Sequence, residues 1–295
     1  MIRPIRKPAI AGSWYPGDPE ALRKEIRGFF DRVDRRSFEG YVIGLIAPHA
    51  GYMYSGQVAA YGYKLIEGKS YDAVVVVGPS HRYPFRGVSI YEDGAYETPL
   101  GVVPVDRDLS AKILAKSRRV SPVLMAHQQE HSLEIQIPFL QVALGDFSFV
   151  PLIMGDQDEA TCEDLAAAIV AAAGNRHVLI VGSSDLSHFH TYNQAMAMDG
   201  VVLDHIREMD ARGLLRDLNQ DLCEACGGGP AAVAMMASRR LGADGAEVLK
   251  YANSGDVTGD RSSVVGYAAA VFYHGHAIKA KEAEIIGDSK KVESL

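Results

Sequence analysis

Apolar positions in this chain gather into short continuous runs separated by amphipathic stretches, with little strict alternation. Three runs share one pattern: a β-branched apolar core, a small-residue turn, then a histidine. They are VIGLIAPHAGY (42–52), AVVVVGPSHRY (73–83) and HVLIVGSSDLSH (177–188). Uniformly apolar runs of this length, bounded by Gly or Pro, predict strands buried on both faces, as in a parallel or mixed sheet covered by helices. Further strands are expected at SFVPLIM (148–154), EVLKYAN (247–253) and VVGYAAAVFY (264–273).

Between the runs, helical periodicity predicts helices over 55–66, 108–116, 159–173, 194–209 and 230–241. Ser55 and Asp106 suit N-cap positions, and Pro230 suits a first turn after Gly227 to Gly229. Strands alternating with helices define an α/β class: a central, mostly parallel or mixed β-sheet flanked by helices. Residues 87–105 carry Asp93-Gly94 between alternating runs and predict a β-hairpin excursion. No linker or internal repeat interrupts the pattern. One α/β domain over 1–276 is expected, followed by a solvated, charged C-terminal tail over 277–295.

Composition narrows the function classes. The 295 residues are 47% hydrophobic and 23% charged, which excludes disorder and fibrous repeats. With 37 acidic against 30 Lys and Arg residues the net charge is −7, so there is no basic footprint for nucleic acid or an anionic membrane. A small-molecule ligand is the expected partner. No run approaches 18 apolar residues, and the basic N-terminus is followed by no apolar segment, so a cytoplasmic protein is expected. Cys162, Cys223 and Cys226 are too few for a disulfide framework.

In open α/β sheets ligands bind beyond the carboxyl ends of the strands. His49, Ser80, His81, Asp185 and His188 all follow apolar runs at that end. HQQEHSLEIQIPFL (127–140) adds His127, Glu130, His131 and Glu134 near a helix start; its order is not the zincin HExxH. CEAC (223–226) lacks the second CxxC of a zinc site, but Cys226 against three glycines at a helix start is a candidate thiolate. GSSDL (182–186) lacks the last glycine of a nucleophile elbow, which leaves a Ser/His/Asp hydrolase through Ser183 or Ser184 and His188 as the weakest reading. Dinucleotide and P-loop fingerprints are absent.

The motifs AGSWYP (11–16), APHAGYMYSG (47–56), GPSHR (78–82), ETPLG (97–101), EHSLEIQIPFL (130–140), SSDLSH (183–188) and CGGGP (226–230) resemble the MEMO family, in order, over about 11–272. The resemblance implies a fold like that of the LigB-type class III extradiol dioxygenases. It implies metal ligation by His49, His81 and Cys226, with iron as Fe(II) or copper as the ion. Asp185 and His188 stand beside them, His188 as acid or base with its tautomer set by Asp185, and His131 as a hydrogen-bonding group for substrate. Trp14, Tyr15 and Tyr52 match aromatic positions expected to wall the pocket. The implied activity is oxidation of a small aromatic or phenolic substrate; a non-catalytic module that binds a peptide or partner protein is the alternative. Microbial relatives imply AMMECR1-like and radical SAM proteins as partners. A cysteine where such dioxygenases carry a carboxylate departs from their ligand set.

Overall fold

The computed structural model describes residues 4–34 and 38–277. The expected tail therefore lies outside the described residues, apart from its first position. In chain order the strands are β1 (Ile5–Arg6), β2 (Phe38–Ala47), β3 (Ala73–Pro79), β4 (Val88–Ile90), β5 (Ala95–Thr98), β6 (Gly101–Pro104), β7 (Val120–Ser121), β8 (Phe149–Met154), β9 (Val178–Ser183), β10 (His188–His190), β11 (Gly245–Asn253) and β12 (Val264–Ala277). The helices are α1 (Pro19–Asp31), α2 (Tyr52–Leu65), α3 (Arg107–Lys116), α4 (Leu124–Gln128), α5 (His131–Glu134), α6 (Ile137–Leu144), α7 (Glu159–Ala173), α8 (Tyr192–Glu208), α9 (Ala211–Asn219), α10 (Gly228–Arg240) and α11 (Ser254–Thr258).

Among the described residues the main sheet has nine strands in the order β10-β12-β2-β9-β3-β8-β4-β7, with β11 also paired to β12. Its centre, β2-β9-β3-β8, is parallel, whereas β12 and β4 run antiparallel to their neighbours β2 and β8. The valine run of β3 explains why the centre is parallel and doubly covered. Successive side chains leave a strand on opposite faces. Val75 and Val77 enter a core with α3, α7, α8, α9 and α10, while Val74 and Val76 enter a second core with α1, α2 and α6. Full burial of each such side chain stabilises by roughly 1.5–3 kcal/mol, more than a helix cap at about 1 kcal/mol. Those caps are present too: the side chains of Asp18, Asp106, Asp158 and Asp210 each accept from a first-turn N–H.

Two local expectations are corrected. Ser55 is not an N-cap: α2 starts three residues earlier and the Ser55 hydroxyl donates to Ala50 O at 2.9 Å. The excursion over 87–105 does not turn at Asp93-Gly94. β4 joins the main sheet, and β5 with β6 forms the hairpin, in a separate three-stranded sheet with β1, turning between Thr98 and Gly101. Gly94 has φ +105°, and a Cβ there would stand 2.0 Å from Pro4 O, so this glycine serves the close approach of β5 to β1. Among the described residues no helix is long and apolar enough to cross a membrane.

Candidate metal centre

Three neighbouring parallel strands each deliver a functional side chain two residues beyond their last residue. β2 ends at Ala47 and presents His49, β3 ends at Pro79 and presents His81, and β9 ends at Ser183 and presents Asp185. Equal offsets on strands in register place the three side by side. Cys226 arrives from elsewhere, on the turn that opens α10. Glycines let that turn approach: a Cβ on Gly182 would lie 2.7 Å from Pro230 O, and one on Gly227 would lie 2.1 Å from Ser183 O. One donor atom from each of His49, His81 and Cys226 lies within 4.8 Å of the others.

The hydrogen bonds assign the tautomers of both histidines. Ser183 gives its single hydroxyl proton to Ser132 O at 2.7 Å and accepts from Gln136 Nε2 at 2.9 Å. Its contact with His49 Nδ1 at 2.9 Å therefore requires an Nδ1–H on the imidazole, which leaves a lone pair on Nε2. That Nε2 is 3.0 Å from Cys226 Sγ. His81 Nδ1 lies 2.9 Å from Glu130 Oε1 and its backbone N–H donates to Oε2 at 2.6 Å, so this ring also carries its proton on Nδ1. Both rings are thus held by a partner on Nδ1, and the neutral His49 ring presents a bare Nε2.

Burial sets the electrostatics. His49 is only 2% exposed, and burial, with His81 beside it, lowers its pKa to about 3. Burial by itself raises the Glu130 carboxyl, but the ring and backbone N–H of His81 and the Ser132 N–H outweigh it and hold the group well below the ordinary carboxylate range. At Cys226 burial and the Asp185 carboxylate push the thiol upward against the backbone N–H groups that favour a thiolate. The helix start does not by itself deprotonate Cys226, contrary to expectation, because desolvation dominates. Burial raises Asp185 to about 6, opposed by hydrogen bonds from the His49 and Ala50 N–H groups.

The Asp185 carboxylate serves His49 rather than His188: Oδ1 accepts from His49 N at 2.7 Å, and Oδ2 lies 4.0 Å from His49 Nε2. Among the described residues it makes no hydrogen bond to the His188 ring. His188 is instead held through its backbone N–H, 3.2 Å from Glu224 Oε2, and that carboxylate also binds His190 Nε2 at 2.8 Å. His188 and Cys226 line one wall of a cavity of about 890 Å³, bounded by α9, the start of α7 and the start of α10.

The 127–134 cluster divides in two. His131 packs against the centre, its ring centroid 4.5 Å from that of His81 and 5.5 Å from that of His49, and its buried Nδ1 faces Glu130 Oε1 at 3.4 Å without a hydrogen bond. His127 and Glu134 are structural. Ser89 donates to Val123 O, so His127 Nε2 must donate to Ser89 Oγ, and Nδ1 accepts from Tyr96 OH. Glu134 accepts from Ala9 N, Ile10 N and Tyr15 OH and pairs with the buried Arg6.

Of the three expected pocket aromatics, Trp14 stands against His131 at 4.5 Å. Tyr15 and Tyr52 belong to the core instead. They are 3% and 2% exposed, and their hydroxyls are spent on Glu134 and on Ile135 O. The hydrolase reading also fails: Ser183 and Ser184 are buried and donate to Ser132 O and Asp185 O, and neither bonds to His188. All three cysteines are free, and Cys223 is buried in the core. Gln136, Gln157 and Glu224 were not legible as site residues; of these, only Gln136 carries a signal, a lone amide within the apolar stretch IQIPFL.

Comparison with known proteins adds three findings. A family model described as Memo-like protein matches residues 6–271. A MEMO1 family protein of Methanobrevibacter smithii is 40% identical over 91% of this chain and 99% of its own, and one of Methanopyrus kandleri is 40% identical over 92% and 99%. A MEMO1 family protein of Thermotoga petrophila is 38% identical over 91% and 99%. The crystal structure of an uncharacterized protein from Escherichia coli K12 superposes with a TM-score of 0.52, covering 78% of this chain and 99% of its own at 14% identity, a likeness of fold alone.

Proposed function

The chain belongs to the Memo-like protein family, with the LigB-like α/β fold, and from that premise we propose that it binds a single iron or copper ion through His49, His81 and Cys226 and oxidises a small aromatic or phenolic substrate. The observation that carries this reading is the convergence of three donor atoms within 4.8 Å from separate elements, with the Nδ1 of each imidazole held by Ser183 or Glu130. The donor set fits such an ion. Neutral imidazoles suit iron and copper, and a thiolate adds affinity for softer ions. A buried thiol pushed upward needs a cation to become a thiolate, so ion binding and proton release are coupled at Cys226.

When bound, the ion would supply Lewis acidity and redox chemistry. The chain's own residues do the rest. Glu130 and Ser183 fix the two rings, and Asp185 pins the His49 backbone. His188, which lines the cavity with Cys226, is the proton carrier of this scheme, and His131, packed against both metal-site imidazoles, is the hydrogen-bonding group for substrate. Metal analysis of protein purified without added metal, followed by anaerobic titration with Fe(II) and Cu(I), tests the reading. We expect stoichiometric binding that is lost on replacing His49 and His81 together by Ala. Undiminished binding by that double variant, or none by the wild type, would overturn it; peptide binding that ignores chelators would favour a non-catalytic module.

A further inference from the structure

Gln157 touches neither histidine, yet it joins three elements at the point where Cys226 enters the centre. It precedes Asp158, the N-cap of α7. Its Nε2 donates to Cys226 O at 2.9 Å and its Oε1 accepts from Gly229 N at 2.7 Å. One amide therefore bridges the carbonyl of the candidate ligand and an open N–H in the first turn of α10, a helix with no side-chain cap of its own. The contact is close: a Cβ on Gly229 would lie 2.8 Å from Gln157 Cβ. Gln157 is itself anchored, because Gly155 N and Asp156 N donate to Gly87 O and Asp156 Oδ2 accepts from Gly87 N. From the other side Ser184 Oγ accepts from Gly227 N at 3.1 Å. The turn bearing Cys226 is thus clamped on both flanks.

We propose that Gln157 is a positioning residue that holds the Cys226 backbone so that its sulfur faces His49, and that it thereby sets the affinity of the centre for ions that depend on sulfur. The proposal rests on the metal-binding reading above. It also has a consequence without metal, since the same clamp keeps the thiol against His49 Nε2 at 3.0 Å.

Gln157→Glu separates positioning from capping. The carboxylate still accepts from Gly229 N–H, and its charge favours a helix start, but it offers no donor to Cys226 O and sets an acceptor against it. Gln157→Leu removes both bonds. Three measurements on both variants and the wild type decide the matter: the melting temperature, the Cu(I) affinity with the intensity of the sulfur-to-Co(II) charge-transfer band, and the rate of Cys226 alkylation by iodoacetamide in metal-free protein. We expect Gln157→Glu to melt close to wild type, to lose about 10–100-fold in Cu(I) affinity as supporting residues of metal sites typically do, and to be alkylated severalfold faster. Wild-type affinity and wild-type alkylation in Gln157→Glu would reduce Gln157 to a helix cap and overturn the proposal. If the wild type binds neither ion the metal reading fails, and the alkylation rates alone still decide whether Gln157 holds Cys226.

Discussion

Three donors meet at the centre, but they differ in what each needs before it can bind an ion. His49 and His81 are already oriented, each with its Nδ1 held by a fixed partner, and burial keeps the His49 ring neutral. Cys226 must lose a proton from a buried thiol, so its contribution depends on how strongly the ion prefers sulfur. Cys226→Ser should therefore weaken Cu(I) binding far more than Fe(II) binding, measured by anaerobic competition titration. Equal losses for the two ions would mean that the sulfur is not a ligand. At this scale the sequence nominated residues but could not orient them. His49, His81 and Asp185 were nominated from apolar runs that end in a turn and Cys226 from the glycines at a helix start, whereas the hydrogen bonds that assign Asp185 to His49 and Glu134 to Arg6 join residues 136 and 128 positions apart.

Elements carry the site through two kinds of junction. The parallel strands β2, β9 and β3 deliver their residues by register, which the apolar runs already encode. The helical segment after Gln129 is delivered differently, by the buried Arg6, whose Nε donates to His127 O at 2.9 Å and whose Nη2 donates to Glu130 O at 2.8 Å. Arg6 also pairs with Glu134 where both side chains are nearly inaccessible. Removing one partner of such a pair leaves a buried charge uncompensated, at a cost of roughly 3–5 kcal/mol. Arg6→Met should lower stability by that order in urea unfolding and weaken metal binding through the displaced Glu130 and His131. Loss below about 1 kcal/mol would place the pair in a solvated environment. Nothing local marks this junction, because β1 is two residues long and the Arg6 side chain's partners Glu130 and Glu134 lie 124 and 128 positions away.

At the scale of the whole molecule three histidines, His49, His127 and His131, are buried, and this makes stability depend on pH. Burial lowers His49 and His127 to about 3, and it lowers His131 likewise, against an ordinary value near 6.5. Each folded-state pKa lies below its unfolded value, so the unfolded chain binds more protons between about pH 6.5 and 3, and stability falls as pH drops through that window. Each such histidine contributes a slope of up to about 1.4 kcal/mol per pH unit. Metal-free protein should show urea midpoints that decline steadily from pH 7 to pH 5, and His127→Gln should reduce the slope. A flat profile would mean that these rings are hydrated and titrate normally.

Periodicity along the chain determined the α/β class, the parallel centre of the sheet and the ends at which chemistry gathers, because strand burial and side-chain alternation are local properties of a run of residues. The same locality explains the misses. A turn at Asp93-Gly94 and a cap at Ser55 are sound local choices that other contacts displaced, Pro4 beside Gly94 and the earlier start of α2 at Tyr52. Tyr15 and Tyr52 look like pocket walls until the fold turns them toward Phe139 and Glu134. Only the tertiary structure decided which partner holds each ring nitrogen, why burial pushes a thiol at a helix start upward, and that Gln157 reaches Cys226. Each of these depends on desolvation and on hydrogen bonds between residues far apart in sequence, and neither is encoded in the order of residues at any one site.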